Sequence, residues 1–218
     1  MKKQDVLAEL KRVGLVPVLR AESEAQAMAL AHAIADGGVT CLEVTMTVPG
    51  ALDVMVRLER ERPDILMGAG TVLDAETAEA CIGAGAQFIV SPAFDEKTVS
   101  YCRKHEIAVL PGALTPTEVL LAWNAGADVV KIFPASAMGG AKYLRSLKAP
   151  LPDIEMIPTG GVSLATAREF LEAGAFALGV GADLVDTKAI ANGHPETVTE
   201  HARKYLEIVQ AFQAASMM

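Results

Sequence analysis

The sequence predicts an α/β protein that folds as a compact single (β/α)8 TIM barrel with an N-terminal helix, with residues 1–218 forming one domain. Three observations lead to this prediction. Eight short apolar runs alternate with helical stretches, the chain is close to the usual size of one domain, and 51% of its 218 residues are hydrophobic. An open doubly wound sheet is the alternative, but eight regular units with short connections favour closure.

Each predicted strand is a short apolar run that ends near Gly, Pro, Ser or Thr. The eight runs are Leu15–Leu19, Cys41–Thr45, Ile65–Gly68, Phe88–Ser91, Ala108–Leu110, Val129–Phe133, Glu155–Pro158 and Phe176–Val180. Before the first run, charged residues alternate with Val6, Leu7 and Leu10, and we expect this stretch to form the N-terminal helix.

Helix starts are marked by capping residues between the apolar runs. Thr115-Pro116-Thr117-Glu118 combines an N-cap, a proline at the first helical position and a Glu three residues after the cap. Asp74, Asp95 and Ser163 are further N-cap candidates.

A weak internal repeat relates alternate strands. The phrases Gly37-Gly38-Val39, Ala84-Gly85-Ala86, Ala125-Gly126-Ala127 and Ala173-Gly174-Ala175 precede strands two, four, six and eight. Five residues after the second residue of each phrase stand Glu43, Val90, Lys131 and Gly179. One interior layer of a barrel takes its side chains from alternate strands, so we expect these four residues to share a layer.

Composition and charge exclude several classes of function. The chain has 19 Lys+Arg against 27 Asp+Glu, a net charge of −8, which disfavours nucleic-acid binding. No apolar run reaches the roughly 18 residues of a membrane helix, and the N-terminus does not lead into an apolar signal core. We therefore expect a cytoplasmic protein with no nucleic-acid or membrane partner.

The cysteines and histidines show no metal-binding pattern. Three widely spaced cysteines, Cys41, Cys81 and Cys102, are expected to be small buried core residues. The histidines have no metal-ligand spacing and are expected at the surface; they are His32, His105, His194 and His201. The sequence therefore requires neither a metal nor an organic cofactor.

Lys131 and Glu43 are the strongest candidates for catalysis, because each is a lone charge within an apolar strand. A lysine in a desolvated pocket loses its proton more easily and can form a Schiff base with a ketone. Such chemistry needs a group that shuttles protons, a role that Glu43 could fill. The alternatives are a lysine on a solvent-facing edge strand and a purely structural ion pair.

Two glycine-rich turns follow the predicted seventh and eighth strands, where barrels often bind phosphate through backbone N–H groups. The first contains Thr159, Gly160 and Gly161, and the second contains Gly181 and Ala182. Each could also be an ordinary turn.

Two residues near other strand ends are candidates for binding a substrate carboxylate. The guanidinium of Arg20 can bind a carboxylate in two places, although Arg20 could instead be a solvated rim residue. Thr71 follows Gly68-Ala69-Gly70, which lacks the third glycine of a dinucleotide fingerprint; Thr71 could hydrogen-bond a carboxylate or cap a helix.

Seven motifs in this order resemble the class I aldolases that cleave 2-keto-3-deoxy-6-phosphogluconate (KDPG) and 4-hydroxy-2-oxoglutarate (KHG). The motifs are Pro17-Val18-Leu19-Arg20, Leu42-Glu43-Val44-Thr45, Gly68-Ala69-Gly70-Thr71, Ser91-Pro92, Leu110-Pro111-Gly112, Lys131-Ile132-Phe133-Pro134-Ala135 and Pro158-Thr159-Gly160-Gly161. The resemblance covers nearly the whole chain. It implies a homotrimeric barrel, a Schiff base on Lys131, proton transfer by Glu43, and contacts of Thr71, Pro92 and Phe133 with the pyruvyl group.

The resemblance also implies the reaction. KDPG would be cleaved to pyruvate and D-glyceraldehyde 3-phosphate, or KHG to pyruvate and glyoxylate. Two positions depart from several relatives: Thr47 replaces an arginine, and Ala182 replaces a phosphate-binding serine. The alternatives are cleavage of 2-keto-3-deoxy-6-phosphogalactonate, a sugar-phosphate isomerase or synthase without a Schiff base, and a metabolite-binding barrel without turnover.

Overall fold

A computed structural model describes residues 1–216 of the chain. Its strands are β1 Leu15–Leu19, β2 Cys41–Thr45, β3 Leu66–Gly70, β4 Phe88–Val90, β5 Ala108–Leu110, β6 Gly112–Ala113, β7 Val130–Ile132, β8 Met156–Pro158 and β9 Leu178–Val180. All pairings between them are parallel, in the orders β5-β4-β3-β2-β1-β9 and β6-β7-β8. The bridge between Thr159 and Gly179 joins β8 to β9, so the predicted barrel is confirmed.

The fifth predicted strand differs from the prediction, because the structure continues it as a second segment. Pro111 separates β5 from β6 and has no N–H to donate to a neighbouring strand. Its carbonyl accepts the N–H of Lys131 at 2.9 Å, so the chain changes partner here from β4 to β7. The other strand bounds lie within two residues of the prediction.

Helices surround the strands. The α-helices are α1 Lys3–Val13, α2 Glu24–Asp36, α3 Ala51–Glu61, α4 Ala75–Gly83, α5 Glu96–Lys104, α6 Pro116–Ala125, α7 Ala141–Lys148, α8 Ala167–Glu172, α9 Thr187–Ala191 and α10 Pro195–Ser216. A short 3-10 helix covers Ala135–Met138. The predicted N-terminal helix is α1.

Three of the four predicted N-caps are confirmed. Thr115 and Glu118 form a complete capping box at the start of α6. Asp74 and Asp95 accept backbone N–H groups at the starts of α4 and α5. The prediction for Ser163 is wrong: its N–H donates to the hydroxyl of Thr166, and α8 begins after Thr166.

The barrel interior and the layer between strands and helices form one apolar core, in which every residue of the nine strands is buried. As predicted, Cys41, Cys81 and Cys102 are buried free thiols. Helix α10 packs closely on α2, since a Cβ at Gly37 would stand 2.5 Å from the Cβ of Ala202.

Residues 1–216 contain neither a membrane-spanning helix nor a metal-binding cluster. None of the helices in this range has both the length and the apolar character needed to cross a membrane. No group of three or more His, Cys, Asp or Glu side chains in the same range is arranged to hold a metal ion.

Candidate active site

Lys131 on β7 and Glu43 on β2 meet inside the barrel. Only 5% of Lys131 and 2% of Glu43 is exposed, which excludes a lysine on a solvent-facing edge strand. The Nζ of Lys131 and the Oε1 of Glu43 are 3.6 Å apart. The Oε1 atom is buried and has no hydrogen-bond partner within the described part of the chain. Two of the four residues that the repeat relates, Lys131 and Glu43, therefore lie side by side.

Glycines make room for this pair. A Cβ at Gly70 would overlap the Glu43 carboxylate, and one at Gly112 would overlap the backbone of Pro92. Gly112 also pairs with Lys131 in the sheet. The sequence did not reveal that Gly70 leaves space for Glu43. A glycine has no side chain, and the sequence does not show which neighbouring residue fills the space beside it.

A large cavity of about 460 Å³ opens at the carboxyl ends of the strands. Seven of the predicted binding residues line it: Arg20, Phe133, Thr159, Gly160, Gly161, Gly181 and Ala182. Gly160 and Gly161 have φ angles of +91° and +76°, which favour glycine. The structure therefore brings together the two glycine-rich turns and Arg20, which are far apart in sequence.

Phe133 lies near Lys131 and lines both the large cavity and a second cavity. The Lys131 Nζ lies 5.4 Å from the centre of the Phe133 ring. On its other side, Phe133 lines a small cavity of about 320 Å³ together with Pro92. Phe133 therefore borders both cavities.

Thr71 and Thr47 lie outside the lining of both cavities. Thr71 directly follows β3 and has a φ angle of +58°, an uncommon backbone conformation for threonine. The hydroxyl of Thr45 donates to the carbonyl of Leu19 at 3.0 Å and lies 2.7 Å from the hydroxyl of Thr47. Because the Thr45 proton is used, Thr47 donates in this second bond.

Cys41 is a buried thiol on β2, two residues before Glu43. Burial raises the pKa of the Cys41 thiol well above its ordinary value, and the charge of Glu43 raises it further. Cys41 is therefore a neutral thiol that does not compete with Lys131 as a nucleophile.

Asp183, which the sequence did not indicate as a site residue, lines the large cavity beside Ala182. Its Oδ2 accepts the hydroxyl of Tyr205 and, at 3.2 Å, the N–H of Leu164. Burial raises the pKa of Tyr205 far above its ordinary value, and its hydrogen bond to Asp183 adds to this shift. Asp183 belongs to no motif in the sequence. The turn after β9 does not by itself show which of its residues face the cavity.

Comparisons with known proteins agree with this arrangement. The family model for KDPG and KHG aldolase matches residues 6–201. The 2-dehydro-3-deoxy-phosphogluconate aldolase of Treponema pallidum is 35% identical over 204 residues, covering 94% of this chain and 97% of that protein. The KHG/KDPG aldolase of Escherichia coli K12 is 34% identical over 193 residues, covering 88% of this chain and 91% of that one.

A solved structure shows the same fold. The KDPG aldolase of Legionella pneumophila, with pyruvate captured at low pH as a covalent carbinolamine intermediate, matches with a TM-score of 0.84 and 30% identity. The match covers 93% of this chain and 97% of that chain. The chain described here therefore belongs to the KDPG and KHG aldolase family and is a carbon–carbon lyase.

Proposed function

We propose that this single-domain chain cleaves 2-keto-4-hydroxy acids reversibly to pyruvate and an aldehyde through a Schiff base on Lys131. The observation that carries the proposal is the unpartnered Oε1 of Glu43, buried 3.6 Å from the Lys131 Nζ. A carboxylate without its hydrogen bonds is costly in the interior of a protein. A water molecule or a substrate hydroxyl between the two groups would supply the missing bond.

In the cleavage direction, the amine of Lys131 attacks the C2 ketone to give a carbinolamine, which loses water to form an iminium ion. The carboxylate of Glu43 takes the proton of the C4 hydroxyl. The C3–C4 bond breaks, its electron pair moves into the enamine on Lys131, and the C4 fragment leaves as an aldehyde. Protonation at C3 and hydrolysis then release pyruvate and regenerate the amine.

The remaining binding residues fall into two groups. Thr71, Pro92 and Phe133 would hold the pyruvyl part near Lys131. The distal part would lie in the large cavity, against Arg20, Thr159, Gly160, Gly161, Gly181 and Ala182. The guanidinium of Arg20 has no hydrogen bond or ion pair with the residues that the structure describes, so it is available to a substrate anion. Thr47 would contribute through its packing beside Thr45.

The relatives suggest which acids to test, since they are named for KDPG and KHG. The products would then be pyruvate with D-glyceraldehyde 3-phosphate or with glyoxylate. The galactonate epimer of KDPG is the alternative, because the choice depends on hydroxyl contacts in the large cavity.

We also propose a homotrimer in the cytoplasm. Exposed large apolar side chains, which include Leu73, Leu120, Leu121 and Met138, offer surface for contact between copies. The three free cysteines suit a reducing compartment. Light scattering of the purified protein measures the first point, and a stable monomer would contradict it.

Reduction with sodium borohydride in the presence of pyruvate tests the catalytic proposal. We expect a reduced pyruvyl adduct, and mass mapping should place it on the peptide that contains Lys131. The Lys131→Met variant is the matched control and should give no adduct. An intact wild-type protein without adduct would contradict the proposal and favour an isomerase or synthase without a Schiff base.

A further inference from the structure

The wall of the large cavity contains a carboxylate held in a fixed position. Asp183 follows β9, and its Oδ2 accepts two hydrogen bonds, from the hydroxyl of Tyr205 on α10 and from the N–H of Leu164 before α8. Tyr205 is fully buried, so it fixes the carboxylate from behind. The other oxygen, Oδ1, has no partner among residues 1–216. Asp183, an exposed residue of this lining, therefore keeps one acceptor oxygen free.

Two backbone N–H groups in the loop before α8 are already bound to acceptors of the chain itself. The N–H of Leu164 binds Asp183, and the N–H of Ser163 binds the hydroxyl of Thr166 at 2.9 Å. After β9, the carboxylate of Asp186 accepts the first N–H groups of α9 at 2.9 Å. At Leu164, the carboxylate of Asp183 occupies a backbone donor next to Ser163, which lines the cavity.

The charges of the cavity lining also oppose a phosphate. Arg20 is the one cationic and Asp183 the one anionic side chain among the described residues that line it, so the lining has no net positive charge. A phosphate monoester carries close to two negative charges at neutral pH. A fixed carboxylate in the same cavity repels it, whereas a substrate hydroxyl can donate a hydrogen bond to Oδ1.

We propose that Asp183 is a specificity-determining residue, which selects 2-keto-4-hydroxy acids whose distal end carries a hydroxyl rather than a phosphate. This inference rests on the proposed function and narrows its substrate class. Ala182 acts in the same direction, because its methyl group offers a phosphate no hydrogen bond.

The test compares two substrates that differ only at the distal end, 2-keto-3-deoxygluconate and its 6-phosphate. We expect the wild type to cleave the unphosphorylated acid with at least tenfold higher kcat/KM. Asp183→Asn removes the negative charge and keeps an oxygen that can accept the hydroxyl of Tyr205. Its hydrogen bond with the N–H of Leu164 becomes weaker. The substitution should shift the ratio at least tenfold toward the phosphate, and inorganic phosphate should inhibit the variant more strongly than the wild type.

Two matched variants separate charge from position. Asp153→Asn makes the same change of charge at an exposed site before β8, at the opposite end of the barrel, and should leave the substrate ratio unchanged. Tyr205→Phe removes a hydrogen bond to Asp183 but keeps the carboxylate, so the preference for the hydroxyl should persist. A substrate ratio is informative here because a general loss of stability lowers both activities together.

Two results would overturn the inference: a wild type that prefers the phosphorylated acid, or a folded Asp183→Asn variant in which the ratio of the two activities is unchanged. The wild-type comparison decides the first point even where the variant fails to fold. Failure of the proposed function is recognised separately, because the borohydride experiment would then give no pyruvyl adduct on Lys131.

Discussion

The Nζ of Lys131 and the Oε1 of Glu43 face each other across 3.6 Å in the interior of the barrel. A charge-assisted hydrogen bond between such groups is usually about 2.7–2.9 Å long. The pair is therefore close enough for electrostatic attraction but too open for a direct hydrogen bond. A purely structural ion pair would gain by closing this distance. The open geometry instead suits two groups that act on a molecule between them.

Glu43→Gln tests the proton-transfer role. The amide keeps the shape of the side chain but cannot accept the C4 hydroxyl proton as a base, so we expect kcat to fall about 10²- to 10⁴-fold. Reduction with borohydride and pyruvate should still label Lys131, more slowly. Steady-state kinetics measure the first effect and peptide mapping the second. Glu59→Gln, on α3 and outside the barrel interior, is the control; unchanged turnover in Glu43→Gln would remove Glu43 from the mechanism.

Gly70→Ala tests the space around Glu43. The added Cβ would overlap the Glu43 carboxylate, so we expect displacement of the carboxylate and a loss of kcat comparable to that of Glu43→Gln. Gly83→Ala is the matched control, because no atom lies within 4 Å of its added Cβ at the end of α4. That variant should keep full activity and gain up to about 1 kcal/mol of stability. Full activity in both variants would show that Glu43 tolerates displacement.

Part of the fold and part of the candidate site could be predicted from the sequence. The strands and the meeting of Lys131 with Glu43 followed from apolar periodicity and the small-residue repeat, because a barrel repeats one geometry around its axis. The break at Pro111 and the position of Asp183 did not follow. The first depends on which neighbouring strand each segment pairs with, and the second on contacts with Leu164 and Tyr205 that are distant in sequence.

Glu118 should make stability depend on pH. Hydrogen bonds from the N–H groups of Leu114 and Thr115 lower its pKa below the ordinary value of 4.5. Its stabilising effect is then complete above pH 4.5 and is lost as the pH falls through the lower, folded-state pKa. We expect Glu118→Gln to lower the free energy of unfolding by about 0.5–1 kcal/mol at pH 7, a modest loss because solvent screens the exposed Glu118 carboxylate.

Thermal unfolding between pH 3 and pH 7 measures this effect. The difference between the wild type and Glu118→Gln should shrink as the solution becomes more acidic. Glu200→Gln, at an exposed position of α10, is the control and should change stability little at any pH. A constant difference across the range would assign the loss to packing instead of charge.

The native thiols should react very slowly. Burial raises the pKa of Cys81 to about 11 and that of Cys102 to about 12, with neighbouring carboxylates adding to both shifts. At pH 8, only about 0.1% of a thiol with a pKa near 11 is thiolate, which is the reactive form. Ellman's reagent should therefore detect almost no thiol in the folded protein and three in guanidinium chloride. One fast-reacting thiol in the folded protein would contradict the burial of all three.

Pairing of β1 with β9 has a consequence for a chain that is still being synthesised. Leu15 lies opposite Leu178 and Pro17 opposite Val180, so the first strand pairs with the last. Until β9 has left the ribosome, one edge of β1 has no partner strand. Every residue of β1 is buried in the complete barrel, so this edge is apolar. Such an edge attracts strands of other chains. We therefore expect translation products that stop before Leu178 to aggregate or to engage chaperones, and dilution to favour correct closure during refolding.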